Sequence, residues 1–181
     1  PALYPLLLVA LACAGETSRA VVVDARIGTP APPNSAGQWV MPAGDYANSR
    51  YSALREINAG NAAQLKASWT FSTGVLRGHE GQPLVIDNTM YLVTPYPNVA
   101  YAIDLTQPGF PLKWKFRPEN DERATGKACC DVVNRGASFA QGKLIYTLLD
   151  GHTVAVDAAS GTQAWRTKVV DVAAGETITM A

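Results

Sequence analysis

The stretch "KACCDVVNRG", Lys127 to Gly136, sets two cysteines side by side with an arginine five residues after the second. Only three cysteines occur in 181 residues, so this adjacency calls for a cause. Neighbours along a strand point to opposite faces. Their Cα atoms lie about 3.8 Å apart across a trans peptide, whereas relaxed disulfides prefer roughly 4.4–6.8 Å. A bond between Cys129 and Cys130 would therefore close a small strained ring. Two explanations compete for the pair: a soft metal or cluster site, or a rigid sulfur surface built for something to lie against. A metal or cluster needs about four ligands, and beyond the thiols the chain offers only two histidines, His79 and His152, far away in sequence. Redox turnover by the pair itself is a third option, and it usually employs intervening residues.

The elements that position these groups belong to a balanced, globular composition. Fifteen basic and fifteen acidic residues cancel, which points to no nucleic-acid or anionic-membrane partner. Hydrophobic residues make up 48% of the chain, enough to bury a core. Fifteen glycines and twelve prolines spread through it favour many short elements over long helices. The chain begins with proline. Residues 3–14, "LYPLLLVALACA", are an apolar run followed by small residues and "GETSRA". That pattern resembles the core and cleavage region of a secretory signal whose positive start is missing, and it is too short for a membrane span. The expectation is a truncated signal over 1–20, a Pro-rich linker over 21–37 and a folded region over 38–181. A buried first strand or helix is the competing reading, and the polar "GTPAPPNSAG" (28–37) argues against it. Cys13 falls inside the signal, where lipid attachment is the other option. An export signal implies an oxidising compartment, the periplasm, in which a disulfide can persist.

From Gln38 onward the pattern is strand and turn. "NAGNAAQLKASW" (58–69) reads as a short capped helix running into a strand with Trp69. Two groups of four strand-like runs follow: "PLVI", "MYLVT", "VAYAID", "LKWKF", then "GASFA", "KLIYTL", "TVAVD", "QAWRTKV". Residues 90–104 lie over 143–157 without a gap, pairing Thr94 with Thr147, Ala102 with Ala155 and Asp104 with Asp157. Each copy ends in a glycine turn and a tryptophan, Trp114 or Trp165. A four-stranded unit recurring at about 40–50 residues is the mark of a β-propeller blade. The tryptophans read as packing residues that seal one blade against the next, and Asp104 and Asp157 as turn acceptors. The fold class is all-β: a partial propeller with room for about three blades at this period.

Through the repeat, "RGHEGQPLV" (77–85), "ACCDVVNRG" (128–136) and "GETITMA" (175–181) taken together, the chain resembles the N-terminal part of a pyrroloquinoline quinone (PQQ)-dependent alcohol dehydrogenase of the methanol/ethanol dehydrogenase family. The resemblance implies an eight-bladed propeller and a disulfide between Cys129 and Cys130 whose ring packs on one face of the planar quinone. It implies that Arg135 pairs with a cofactor carboxylate, a task suited to a planar fork of donors. Val133 matches a position whose backbone touches the cofactor. Glu80 matches a carboxylate at the cofactor's edge that can orient Arg135, and Thr179 a hydroxyl donor to a cofactor carboxylate. The implied reaction oxidises a primary alcohol to an aldehyde, with a Ca2+ or lanthanide ion as Lewis acid and electrons passing to cytochrome c. The metal ligands and the aspartate base of that family are expected downstream of Ala181, so no residue here is assigned as a ligand or as the base. Asp131, beside the cysteines, matches no such position. A homodimer of the full-length protein is compatible with the resemblance. Two rivals remain: a non-catalytic tryptophan-sealed propeller that binds proteins in the cell envelope, which has no need of "CCDVVNRG", and a membrane-bound glucose dehydrogenase, which calls for several N-terminal spans.

Overall fold

The computed structural model describes residues 37–45 and 47–180. The expected signal, Cys13 and all of the linker but Gly37 lie outside them, as does Ala181, the last residue assigned to the folded region. Eight strands follow in order: β1 (Leu84–Ile86), β2 (Thr89–Val93), β3 (Ala100–Asp104), β4 (Leu112–Phe116), β5 (Ser138–Ala140), β6 (Lys143–Thr147), β7 (His152–Asp157) and β8 (Gln163–Lys168). They form two antiparallel sheets of four, β1-β2-β3-β4 and β5-β6-β7-β8. Local chemistry sets the first hairpin of each. Asp87 and Asn88 both have positive φ (47° and 58°) between the paired Ile86 and Thr89, and Gln141 and Gly142 (49° and 71°) do the same between Ala140 and Lys143. Two residues with positive φ match the right-handed twist of the flanking strands, which fixes the register.

The two sheets are copies in finer detail. Trp114 pairs with Ala102 and Trp165 with Ala155, and a register shift follows each alanine. The carboxylates of Asp104 and Asp157 accept backbone N–H groups from Thr106 and from Ala159 and Ser160, as turn acceptors should. The gapless match needs one correction. Thr89 pairs with Asp104 and Lys143 with Asp157, so β2 and β6 correspond at an offset of 54, while β3 and β7 keep 53. Val93, not Thr94, is the counterpart of Thr147. Six residues separate the paired Val93 and Ala100, but only five separate Thr147 and Thr153, and a one-residue slip exchanges faces.

The core lies between the sheets. Leu84, Ile86, Tyr91, Val93, Ala100, Ala102 and Trp114 of the first pack on Leu144, Tyr146, Val154 and Val156 of the second. Trp114 completes the seal: its Nε1–H donates to the Ala158 carbonyl at 2.9 Å. A Cβ on Gly161 would sit 2.7 Å from the Trp114 ring, so the ring rests on bare backbone.

Among the described residues there are two complete blades, not three. Residues 37–83 form no strand and supply two isolated bridges, Trp39 to Val85 at the edge of β1 and Gln82 to Gly136. The expected capped helix is a single 3-10 turn, Ala62–Gln64, and Trp69 is in no strand. Asn58 and Asn61 explain the loss. The Asn61 side chain accepts from the Asn58 N–H and donates to the Glu56 carbonyl, while Asn58 Oδ1 accepts from the Gly60 N–H. Such local bonds compete with a helix. The stretch beyond packs aromatic rings on the first sheet: Trp69 on Phe71 and Phe110, and Phe71 on Tyr101.

Antiparallel order sends alternate connections to opposite ends. Residues 73–83, 94–99, 117–137, 148–151 and 169–180 gather at one end, here the upper, and the glycine turns at the lower.

Candidate functional site

Every cofactor-binding residue singled out from the sequence falls on the upper loops: Glu80 ahead of β1, Cys129, Cys130, Val133 and Arg135 ahead of β5, and Thr179 after β8. The backbone brings the first two loops together. Gln82 bridges Gly136 in parallel, so the chains run side by side into β1 and β5. Gly81 permits the approach, because a Cβ there would stand 3.0 Å from the Val93 carbonyl and 3.3 Å from that of Asn134. Glu80 and Arg135 follow from this juxtaposition. Arg135 Nη2 lies 3.4 Å from Glu80 Oε2, and Nη1 donates to the Thr179 carbonyl (3.1 Å) and hydroxyl oxygen (2.9 Å). One guanidinium thus joins three segments that are distant in sequence.

Buried polar side chains hold the cysteine loop beneath it. Asn134 is fully buried; its amide donates to the Thr147 carbonyl at 2.8 Å and its carbonyl oxygen accepts from the Gly136 N–H at 2.9 Å. The Thr147 hydroxyl in turn donates to the Met180 carbonyl and fixes the segment carrying Thr179. Asn98, also fully buried, accepts from the Leu149 N–H and takes the Tyr146 hydroxyl on its own carbonyl, which joins the blades. Asp150 is buried beside Arg166 and His152, both at 2.9 Å, and accepts from the Asp121 N–H at 3.0 Å. That last contact anchors the long loop to the second blade. The sequence reading named none of these anchors, because Asn and Asp in loops look like solvated turn residues. Their one available signal is local: Asn134 immediately precedes Arg-Gly.

Val133 is buried, consistent with a role left to its backbone. Asp131 is exposed, has positive φ (59°) and faces Arg77 at 3.6 Å. His79 sits within its own loop: Nδ1 is 2.8 Å from the Arg77 carbonyl, so that nitrogen donates, and Nε2 meets the Thr73 hydroxyl at 3.0 Å. His152 is engaged with Asp150. Among the described residues no group of three or more His, Cys, Asp or Glu is placed to hold a metal ion. The catalytic base expected beyond Ala181 falls outside the described residues, which run to Met180.

The cysteine pair departs from expectation. The sulfurs of Cys129 and Cys130 are 3.0 Å apart, a hydrogen-bonding contact, where a bond requires about 2.05 Å; both are free, exposed thiols. The contact is unequal. The contact with Cys130 pushes the Cys129 thiol up, and the contact with Cys129, together with the Arg135 guanidinium, pulls Cys130 down.

Four-stranded sheets sealed by a tryptophan, with loops of one end converging on Arg135 near a pair of sulfurs, define an arc of a β-propeller. Residues 39–175 match the family described as the PQQ glucose/ethanol/alcohol dehydrogenase β-propeller domain, and the chain belongs to that family. It is 49% identical over 173 residues to the lanthanide-dependent methanol dehydrogenase of Methylacidiphilum fumariolicum strain SolV, covering 96% of this chain and 28% of that protein. It is 40% identical over 182 residues to methanol dehydrogenase [cytochrome c] subunit 1 of Methylorubrum extorquens, again covering 28% of the relative and 97% of this chain. Among solved structures, a europium-containing methanol dehydrogenase superposes with a TM-score of 0.78 at 51% identity, over 80% of this chain and 26% of that one. The chain thus spans about a quarter of the length of these relatives.

Proposed function

We propose that the chain is the N-terminal part of a quinoprotein that oxidises primary alcohols to aldehydes, and that its upper loops form part of the PQQ site. The observation that carries this reading is the convergence of Glu80, Arg135 and Thr179, from three separate segments, beside an exposed pair of sulfurs. The donor set fits a flat tricarboxylate. Arg135 spends one nitrogen on Thr179 and one on Glu80 and is only half buried, so its fork remains open to an anion. Thr179 Oγ1 accepts from Arg135, which leaves its own O–H to donate to a carboxylate. Glu80 orients the guanidinium, and the sulfurs offer a polarizable surface for one ring face. Closed into a disulfide, the pair would lose its rotamer freedom and hold that ring at less entropic cost.

PQQ, when bound with a Ca2+ or lanthanide ion as Lewis acid, would supply the two-electron acceptor for the alcohol. Cytochrome c as the next acceptor, and export to the periplasm, complete the proposal; similarity to a cytochrome c-linked methanol dehydrogenase and the apolar run at residues 3–14 support them. The test is alcohol-dependent reduction of an artificial acceptor by the full-length protein reconstituted with PQQ and either Ca2+ or a lanthanide. Turnover requiring both additions is the expected result. Absence of turnover with every ion and alcohol would favour the non-catalytic binding propeller. The 181-residue chain alone should show none, because the metal ligands and proton acceptor are expected downstream of Ala181.

A further inference from the structure

The two blades end their second strands differently. In the first, Val93 closes β2 as an apolar residue, 7% exposed, packed in the core between the sheets. Its counterpart at the end of β6 is Thr147, which is only partly buried and carries a hydroxyl. Both side chains branch at Cβ, and both suit a strand. The blade therefore needs no hydroxyl at this register, and that of Thr147 serves something else. It donates to the Met180 carbonyl, while the Thr147 backbone carbonyl takes the Asn134 amide at 2.8 Å. Asn134 is followed directly by Arg135, and Met180 is preceded by Thr179. Arg135 Nη1 in turn donates to the Thr179 carbonyl at 3.1 Å and to its hydroxyl oxygen at 2.9 Å. Hydrogen bonds and two chain links thus close a circuit through Asn134, Thr147, Met180, Thr179 and Arg135. Its dry side is Asn134, 0% exposed and also bonded to the Gly136 N–H; its wet side is Arg135, with 43% of the side chain exposed. The one member borne by a strand is Thr147. Groups referred to a strand are placed more precisely than groups held by loops alone.

We propose that Thr147 is a positioning residue for the anion site: its hydroxyl holds the Thr179–Met180 segment where Thr179 and Arg135 act on the ligand together. This role rests on the reading, given above, that the ligand is PQQ. Arg135 Nη1 and Thr179 Oγ1 are 2.9 Å apart, close enough to serve one carboxylate. That spacing has two supports. Asn134 ties the Arg135 side of the circuit to the Thr147 carbonyl, and the Thr147 hydroxyl ties the Thr179 side to the same residue. Without the hydroxyl, the Met180 carbonyl loses its strand-borne donor. The hydrogen bonds left on Thr179 then come from the half-exposed Arg135 side chain, which is itself needed by the ligand. Free of its tether, the segment must be ordered by the ligand at the moment of binding, and that ordering weakens affinity.

The test is equilibrium titration of PQQ into the full-length protein and its Thr147→Val and Thr147→Ser variants, with the unfolding midpoint of each. Thr147→Val places at β6 the residue that β2 already carries, and it should bind roughly two- to tenfold more weakly, the worth of one hydrogen bond. Thr147→Ser restores the hydroxyl and should bind as the wild type does. In an Arg135→Lys background, where the fork that meets Thr179 is gone, Thr147→Val should cost much less affinity. Equal losses in the two backgrounds would mean that Thr147 only supports the fold, and would overturn the proposal. Unchanged affinity in Thr147→Val, or a Thr147→Ser protein no better than it, would do the same while leaving PQQ binding intact. A Thr147→Val protein that fails to fold would show that the blade itself needs the hydroxyl, and the role would fall. A wild type that does not take up PQQ would overturn the reading of the site and this role with it.

Discussion

At the lower end of the sheets Trp114 is 8% exposed, bonded to the Ala158 carbonyl and seated on Gly161; at the upper end Arg135 and Glu80 face each other at 3.4 Å with about half of each side chain in water. The seam uses groups whose contribution grows as water leaves. The Glu80–Arg135 pair stays wet, and an exposed ion pair adds only about 0–1 kcal/mol to stability. The tryptophan seal and this exposed ion pair thus lie at opposite ends of the same sheets. The second blade repeats the seam's parts without the same burial: Trp165 is 39% exposed, although its register on Ala155 copies that of Trp114 on Ala102.

The largest effect should come from breaking the seal. In the 181-residue chain, Trp114→Ala should cost about 3–5 kcal/mol in chemical denaturation. Trp165→Ala should stay within about 1 kcal/mol, as exposed positions usually do. In the longer protein, where a following blade would cover Trp165, the two substitutions should cost alike. A persistent gap there would mean that the second tryptophan seals nothing.

Next in size are the glycines. Gly161→Ala places a Cβ 2.7 Å from the Trp114 ring at a φ of 74°, so overpacking of about 1–3 kcal/mol adds to left-handed strain of about 1–2 kcal/mol. Gly109→Ala in the corresponding turn meets no atom within 4 Å and should show the strain alone. Equal melting shifts for the two would remove the ring contact from the account.

A smaller effect is expected at the upper end. Asp121 accepts from the Arg123 side chain and backbone N–H, and these bonds hold its carboxyl down at about 2. A carboxylate with a depressed folded pKa contributes stability above its unfolded value, near 3.9, and that contribution fades as pH falls through about 2. The side-chain carboxyl resonance of Asp121 should titrate near pH 2 by NMR, and Arg123→Ala should return it toward 3.9. An unchanged midpoint would show that Arg123 is not the cause.

Much of the seam was legible in the sequence, because a repeat of strands, glycine turns and tryptophans follows from period and residue type. The one-residue difference between the blades was not legible. A gapless match scores side chains, whereas the longer upper turn of the first blade is visible only in the pairing of Val93 with Ala100. For the site, the resemblance singled out Glu80, Arg135 and Thr179, and the structure brings them together. Asn134, Asn98 and Asp150 escaped, since burial of a loop amide or carboxylate depends on what folds over it. The 3.0 Å sulfur contact was likewise beyond reach of spacing alone.

The claim that these loops hold PQQ is tested most directly by equilibrium titration of the quinone into the full-length protein and its Arg135→Lys variant. Lysine keeps the charge but loses the planar fork, and the bond to a charged group is worth about 1–3 kcal/mol. The account predicts that the variant binds roughly five- to 150-fold more weakly, with unfolding stability changed by less than about 1 kcal/mol. Equal affinities would contradict it and place the cofactor's carboxylate partner elsewhere in the protein.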